Sequence, residues 1–185
     1  MSKKYLAIFD LDGTLFDTGD VNYHAYKQAL EEEGVGLTRE DYLDKYNGRH
    51  YTDFLPEILP DNETVERVHE RKKLLYTENL FRAKENLHLF NMIEALSPDY
   101  HIALVTTANK KNATEILENF GRADTFEYIL TGEDLTKVKP DPAGFLMAME
   151  HFGVSAENTV IYEDSATGLA AAMASGAAVM AVKFF

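Results

Sequence analysis

Asp10-Leu11-Asp12-Gly13-Thr14 sets two carboxylates two residues apart, directly after the apolar run Tyr5-Leu6-Ala7-Ile8-Phe9. That run reads as a buried strand ending at a glycine turn. A buried strand gains nothing from two like charges at its end, and burying them unpaired is costly. A hard divalent cation with oxygen ligands is the natural compensation. The competing reading is that both acids merely cap a turn or a helix. A calcium-binding EF loop is excluded, because the glycine stands fourth rather than sixth and no long acidic loop follows.

Three other stretches repeat or complement this chemistry. Glu163-Asp164-Ser165 puts two more acids after the apolar run Thr159-Val160-Ile161-Tyr162. If that strand neighbours the first, the acids converge with Asp10 at one sheet edge; otherwise Asp164 simply caps the helix that follows. Thr106 and Thr107 end the run His101–Thr106, where a hydroxyl and backbone N–H groups ahead of a helix can hold phosphate. Lys139, in Lys139-Pro140-Asp141-Pro142, is a cation in a stiff loop, placed where it could neutralise phosphate charge. Taken singly, the threonines are ordinary strand residues and the lysine an ordinary solvated one.

The elements that must position these groups alternate. Apolar runs at Tyr5–Phe9, His101–Thr106, Phe126–Leu130, Thr159–Tyr162 and Ala178–Val182 read as strands. Between them, Asn109–Asn119 has helical spacing and Gly121 past its end. Asp141 and Pro142 look like the N-cap and first residue of a helix closed by Gly153. Ser165 can cap a further helix closed by Gly176. The fold class expected is α/β, a Rossmann-like three-layer parallel sheet core. Residues 17 to 85 break the alternation and hold no convincing strand. Asp20–Glu33 is helix-periodic, Thr38-Arg39-Glu40-Asp41 resembles a capping box, and Asn62–Phe81 reads as a long charged helix. Pro56 and Pro60 interrupt them. An inserted all-helical cap domain over 17–85 is therefore expected, with the core made of residues 1–16 and 86–185.

Bulk properties bound the function. The chain of 185 residues carries 18 basic and 31 acidic side chains, a net charge of −13. Such a surface repels phosphate backbones, so a nucleic-acid partner is not expected. Cysteine is absent, which removes disulfides, thiolate metal sites and cysteine nucleophiles. No apolar stretch reaches the ~18 residues that read as a membrane span, and a soluble, cytoplasmic protein is expected. No Walker lysine loop, no G-x-G-x-x-G after a strand and no G-x-S-x-G elbow is present.

The run Phe9-Asp10-Leu11-Asp12-Gly13-Thr14-Leu15, followed in order by Thr106, Lys139 and Glu163-Asp164, resembles the haloacid dehalogenase superfamily, in the branch with a helical cap after the first strand. That resemblance implies a Mg²⁺-dependent phosphohydrolase. Asp10 would be the nucleophile that takes up phosphate, and Asp12 the acid and base. Thr106, Thr107 and Lys139 would hold the phosphate. Metal ligands would come from Asp10, Asp12 (through its backbone carbonyl), Glu163 and Asp164. An acid at position 12 favours phosphate esters over halides, which need no proton on leaving. The branch also includes the β-glucose 1-phosphate mutase, whose cap offers a histidine and an arginine. Here His24, Arg49 and His50 are the nearest equivalents, offset by a residue or two, so phosphatase ranks above mutase. A non-enzymatic phospho-acceptor or Mg²⁺-binding signalling module is the third reading; Asp12 and the helical insert argue against it. The expected partner is a small phosphorylated metabolite, with oligomeric state left open. Family members usually have a Pro-Gly step before the segment at Met92, which this chain lacks. They also continue past the fifth strand, whereas this chain stops at Phe184-Phe185.

Overall fold

The computed structural model describes residues 3–183; Phe184 and Phe185 lie outside the described residues. In chain order the elements are β1 (Tyr5–Phe9), β2 (Phe16–Asp17), α1 (Gly19–Glu32), α2 (Arg39–Asp41), α3 (Tyr51–Ile58), α4 (Asn62–Asn79), β3 (Lys84–Glu85), α5 (Leu87–Leu96), β4 (Tyr100–Val105), α6 (Lys110–Asn119), β5 (Tyr128–Leu130), α7 (Ala143–Phe152), β6 (Thr159–Glu163), α8 (Ala166–Ala174) and β7 (Ala178–Ala181). They fall into two compact units. One is the chain up to Asp17 together with the chain from Lys84 onward; the other is Thr18–Ala83.

The first unit is a five-stranded parallel sheet of order β5-β4-β1-β6-β7. Leu6, Ala7, Ile8 and Phe9 are all fully buried, as a central strand covered on both faces requires. The connections through α5 and α6 step outward from β1 in one direction, and those through α7 and α8 serve the opposite side. Right-handed crossovers then put the two helix pairs on opposite faces. Packing agrees: Phe145, Ala148 and Met149 of α7 and Ala171 and Ala172 of α8 share one cluster with Leu6, Ile8, Ala103, Val105, Leu130 and Ile161. On the other face Phe9 stacks on Tyr162 at 4.5 Å, and the Tyr162 hydroxyl reaches Met92 Sδ of α5. The three-layer α/β core expected from the sequence is what forms.

Local chemistry fixes the helix starts near the sheet edge. Asn109 Oδ1 accepts from Asn112 N at 2.8 Å, and Ser165 Oγ from Gly168 N at 3.0 Å; caps of this kind contribute about 1 kcal/mol each. The Asp141-Pro142 start is shifted by one residue. Pro142 is the N-cap of α7 and Asp141 Oδ1 accepts from Ala143 N, because a free N–H is first needed at position 143. Gly153 closes α7 in the left-handed region, φ 65°.

The second unit is helical. α1 and α4 pack through Ala25, Tyr26, Ala29, Leu30, Val65, Val68 and Leu75, with Tyr42, Phe54 and Leu55 completing the cluster. Arg67–Glu33 and Arg71–Glu32 bridge the same two helices outside it. Thr38 caps α2, accepting from Asp41 N, and the chain continues into a wide helical turn, Tyr42–Tyr46.

Two expectations need correction. Pro56 does not interrupt a helix but sits inside α3; the bond it forgoes is to the carbonyl of exposed Thr52, and buried Phe54 and Leu55 hold the helix in place. The region 17–85 is not free of strand, since Phe16-Asp17 and Lys84-Glu85 pair antiparallel as β2 and β3 where the chain leaves and re-enters the sheet unit. Before Met92, where the Pro-Gly step is lacking, the chain enters helix α5, capped by Asn86 Oδ1 accepting from Leu89 N. Among the described residues no helix is long and apolar enough to cross a membrane.

Candidate active site

Numbered by chain order within the sheet, the strands run third, second, first, fourth, fifth. The direction of winding reverses between β1 and β6, and open α/β sheets bind ligands beyond the strand C-termini at such a reversal. Phe9 is paired with Tyr162, and Asp10 N donates to Tyr162 O at 3.0 Å. One more step along each strand therefore brings Asp10 and Glu163 side by side. Phe9 is paired with Leu104 on the other flank, so Val105 and Thr106 end at the same height.

Carboxylate oxygens of Asp10, Glu163 and Asp164 lie within 4.8 Å of one another. Asp10 is 6% exposed and Glu163 1%. Lys139 inserts between them: its Nζ lies 2.5 Å from Asp10 Oδ1 and 2.7 Å from Glu163 Oε1, and it donates to the Val105 carbonyl at 3.2 Å. Glu163 Oε2 accepts from Ser165 N at 2.8 Å and from Ser165 Oγ at 3.0 Å. Asp164 Oδ1 accepts from the buried Thr14 hydroxyl at 2.9 Å.

Burial, opposed by Lys139 and reinforced by Glu163 and Asp164, pushes Asp10 up to about 8. Burial likewise raises Asp164 to about 6 against the hydrogen bond from Thr14. Burial alone would lower Lys139; Asp10 and Glu163 beside it overcome that and hold it above the ordinary lysine value. One ammonium is too little for three clustered carboxylates. A hard divalent cation fits this donor set of clustered carboxylate oxygens, because a further positive charge favours the ionised form of Asp10, which burial holds protonated at neutral pH. Both Glu163 oxygens are already engaged, so Asp10 and Asp164 are the readier ligands.

A pH signature follows. Without metal, the Asp10 carboxyl is raised from 3.8 to about 8. Its contribution to stability is fully present below the ordinary value and is lost as pH rises through the raised one. Asp10→Asn lacks this titration. In chelator, the stability of the wild type minus that of Asp10→Asn, read from urea melts between pH 4 and 9, is expected to fall with rising pH. A flat or rising difference would contradict the geometry.

The other expected site residues fall as follows. Asp12 is half-buried in the turn after β1, where it bridges to Phe16, and is not one of the three clustered acids. Thr106 is buried and its Oγ1 accepts from Ala108 N at 3.0 Å, while Thr107 is exposed. In the helical unit, His24 lies half-buried on α1, its pKa lowered by burial and by Arg82. Arg49 donates to Glu57 Oε1 and to the Asp53 carbonyl, both at 2.6 Å. His50 Nδ1 lies 2.7 Å from Thr52 Oγ1.

Gly13, expected from the sequence to permit a tight turn and close approach, has φ 89° and lies so close to the Asp164 carboxylate that a Cβ there would collide with it. Sequence reasoning missed two supports. Thr14 orients Asp164. Gly168 leaves room in α8 for the Glu163 carboxylate, as Gly13 does for that of Asp164. A glycine inside an otherwise small, apolar helix was the only signal for the last.

Known proteins resemble this chain over most of its length. The model of the haloacid dehalogenase-like hydrolase family matches residues 7–182. A phosphorylated carbohydrates phosphatase of Thermotoga maritima is 33% identical, over 91% of this chain and 80% of its own length. A phosphoglycolate phosphatase of Nitrosococcus oceani is 26% identical, over 97% of this chain and 84% of its own. Among solved structures, CbbY of Rhodobacter sphaeroides in complex with phosphate has the same fold, with a TM-score of 0.86 at 21% identity, covering 98% of this chain and 87% of that one.

Proposed function

The chain belongs to the haloacid dehalogenase-like hydrolases, and from that premise we propose that it is a Mg²⁺-dependent phosphatase that cleaves small phosphate monoesters through a phosphorylated Asp10. The observation that carries this reading is the meeting of Asp10, Glu163 and Asp164 around Lys139 at the winding reversal of the sheet.

Asp10 attacks phosphorus through a carboxylate oxygen; an O–P bond forms as the ester P–O bond breaks. Asp12 gives its proton to the departing alkoxide. In the second step Asp12, now a carboxylate, takes a proton from water, the resulting hydroxide attacks phosphorus, and the acyl-phosphate bond breaks to regenerate Asp10. Lys139 fixes the Asp10 carboxylate through Oδ1 and offers positive charge to the phosphoryl oxygens. Thr106 and the N–H groups ahead of α6 complete the phosphate cradle. Asp10, Asp164 and the Asp12 carbonyl would hold Mg²⁺, with Glu163 contributing if it yields Lys139 or Ser165. When bound, the ion supplies charge neutralisation between an anionic nucleophile and an anionic phosphate.

The substrate class favoured is phosphorylated carbohydrates, by similarity to the Thermotoga maritima phosphatase. His24, Arg49 and His50 remain the cap candidates for the leaving group. The Arg49–Glu57 pair is exposed and screened by solvent, so exchanging Glu57 for a substrate anion costs little.

The test is a panel of p-nitrophenyl phosphate and sugar phosphates assayed for released phosphate. Turnover is expected in Mg²⁺, to disappear in excess chelator and to return when Mg²⁺ is restored. In the same preparation, Mg²⁺ at a hundredfold excess over its Kd should stabilise the fold by about 2.7 kcal/mol. Isomerisation of a hexose 1-phosphate that depends on a bisphosphate primer would reassign the protein as a mutase. Mg²⁺ binding without any turnover would leave only a phospho-acceptor or binding role.

A further inference from the structure

Asn86 stands at the point where the chain re-enters the sheet unit, between β3 and α5. It is 6% exposed, and every polar group it has is used. Its Oδ1 caps α5 by accepting from Leu89 N at 3.3 Å, and its carbonyl accepts from Phe90 N at 3.1 Å. The remaining donors point at the turn after β1. Asn86 N donates to the Leu15 carbonyl at 2.8 Å, and Asn86 Nδ2 donates to the Thr14 carbonyl at 3.3 Å.

Thr14 is the residue whose hydroxyl donates to Asp164 Oδ1. It is fully buried, so its peptide is shielded from bulk solvent. Two hydrogen bonds from one residue therefore pin the Thr14-Leu15 backbone, and that backbone sets where the hydroxyl points. A helix cap needs only an oxygen acceptor, which serine and aspartate supply about as well as asparagine. The amide Nδ2 has a separate use, and its target lies 72 residues earlier in the chain.

We propose that Asn86 is a positioning residue for the metal site, acting on Asp164 through the Thr14 backbone and hydroxyl. This rests on the reading of Asp164 as a Mg²⁺ ligand. Partners that orient a metal ligand typically change metal affinity by about 10–100-fold when removed, and the same scale is expected here.

The experiment measures Mg²⁺ affinity by calorimetry, alongside kcat and KM for p-nitrophenyl phosphate, in wild type, Asn86→Ser, Thr14→Val, the double variant and Asp164→Asn. Asn86→Ser keeps an α5 cap and loses the amide donor. It should weaken Mg²⁺ binding about tenfold, with Thr14→Val weakening it as much or more. The double variant should be no worse than Thr14→Val alone, because both changes break one chain of contacts. Asn86→Asp keeps the size and the cap while turning an oxygen toward the Thr14 carbonyl. It should weaken binding further, and it serves if Asn86→Ser does not fold. Wild-type affinity in a folded Asn86 variant, with only the melting temperature lowered, overturns the proposal and leaves Asn86 as a plain helix cap. Additive losses in the double variant overturn it as well. Mg²⁺ binding that survives intact in Asp164→Asn overturns the metal-site reading itself, a result distinct from either.

Discussion

Asp10→Asn is expected to lower the turnover of p-nitrophenyl phosphate by about 10⁴-fold or more, the scale seen when a covalent nucleophile is removed, while the fold persists. An amide nitrogen has no lone pair to offer phosphorus, and the amide oxygen is a poor nucleophile. The variant keeps nearly the same shape and still accepts from Lys139 Nζ, 2.5 Å from Oδ1 in the native site. The loss should therefore fall on kcat, and the circular dichroism spectrum should stay close to wild type. Phosphate chased onto the chain in a single turnover should be found in the wild type and not in Asp10→Asn. Turnover within tenfold of wild type would remove Asp10 from the chemistry and with it the proposed mechanism.

Lys139→Met should damage both stability and catalysis. The methionine approximates the volume of the lysine stem, so packing against Phe145, whose ring centre lies 5.2 Å from Nζ, is largely kept. What is lost is the cation held between Asp10 and Glu163. Breaking a buried pair from one side destabilises by about 3–5 kcal/mol, visible as a lower urea midpoint with an unchanged slope. Catalysis should fall by about 10²–10³-fold, as when a donor aimed at developing charge is removed. The stability loss should be partly offset by Mg²⁺, which returns positive charge to the buried carboxylates. A midpoint equal to wild type at neutral pH would show that the carboxylates are not held by this lysine.

The sheet was legible because each central strand is a continuous apolar run, which only burial on both faces explains. Glu163 and Asp164 could be joined to Asp10 once β1 and β6 were taken as neighbours, and the register confirms that adjacency. Two-residue strands such as β2 and β3 have no period to read. Asn86 and Thr14 gave no signal either, since a hydroxyl beside a glycine turn and an amide before a helix look like ordinary turn chemistry. The helical unit hides more. Lys72 looks like one of several solvated cations along α4, yet it is buried, with Nζ 5.0 and 4.9 Å from the ring centres of Tyr26 and Tyr76. A cation in an aromatic sleeve breaks the apolar stripe by which a buried face is recognised.

Gly168 has a bearing on attempts to engineer this protein. Replacing glycine by alanine in mid-helix is a standard route to a sturdier fold, because it restricts the unfolded chain. Applied to α8 it would act in reverse: the added methyl group would occupy the space taken by the Glu163 carboxylate. Displaced, that carboxylate could no longer brace Lys139, and a change chosen for robustness would dismantle the centre from beneath. The weakest helix former in α8 is thus the residue on which the geometry above it rests.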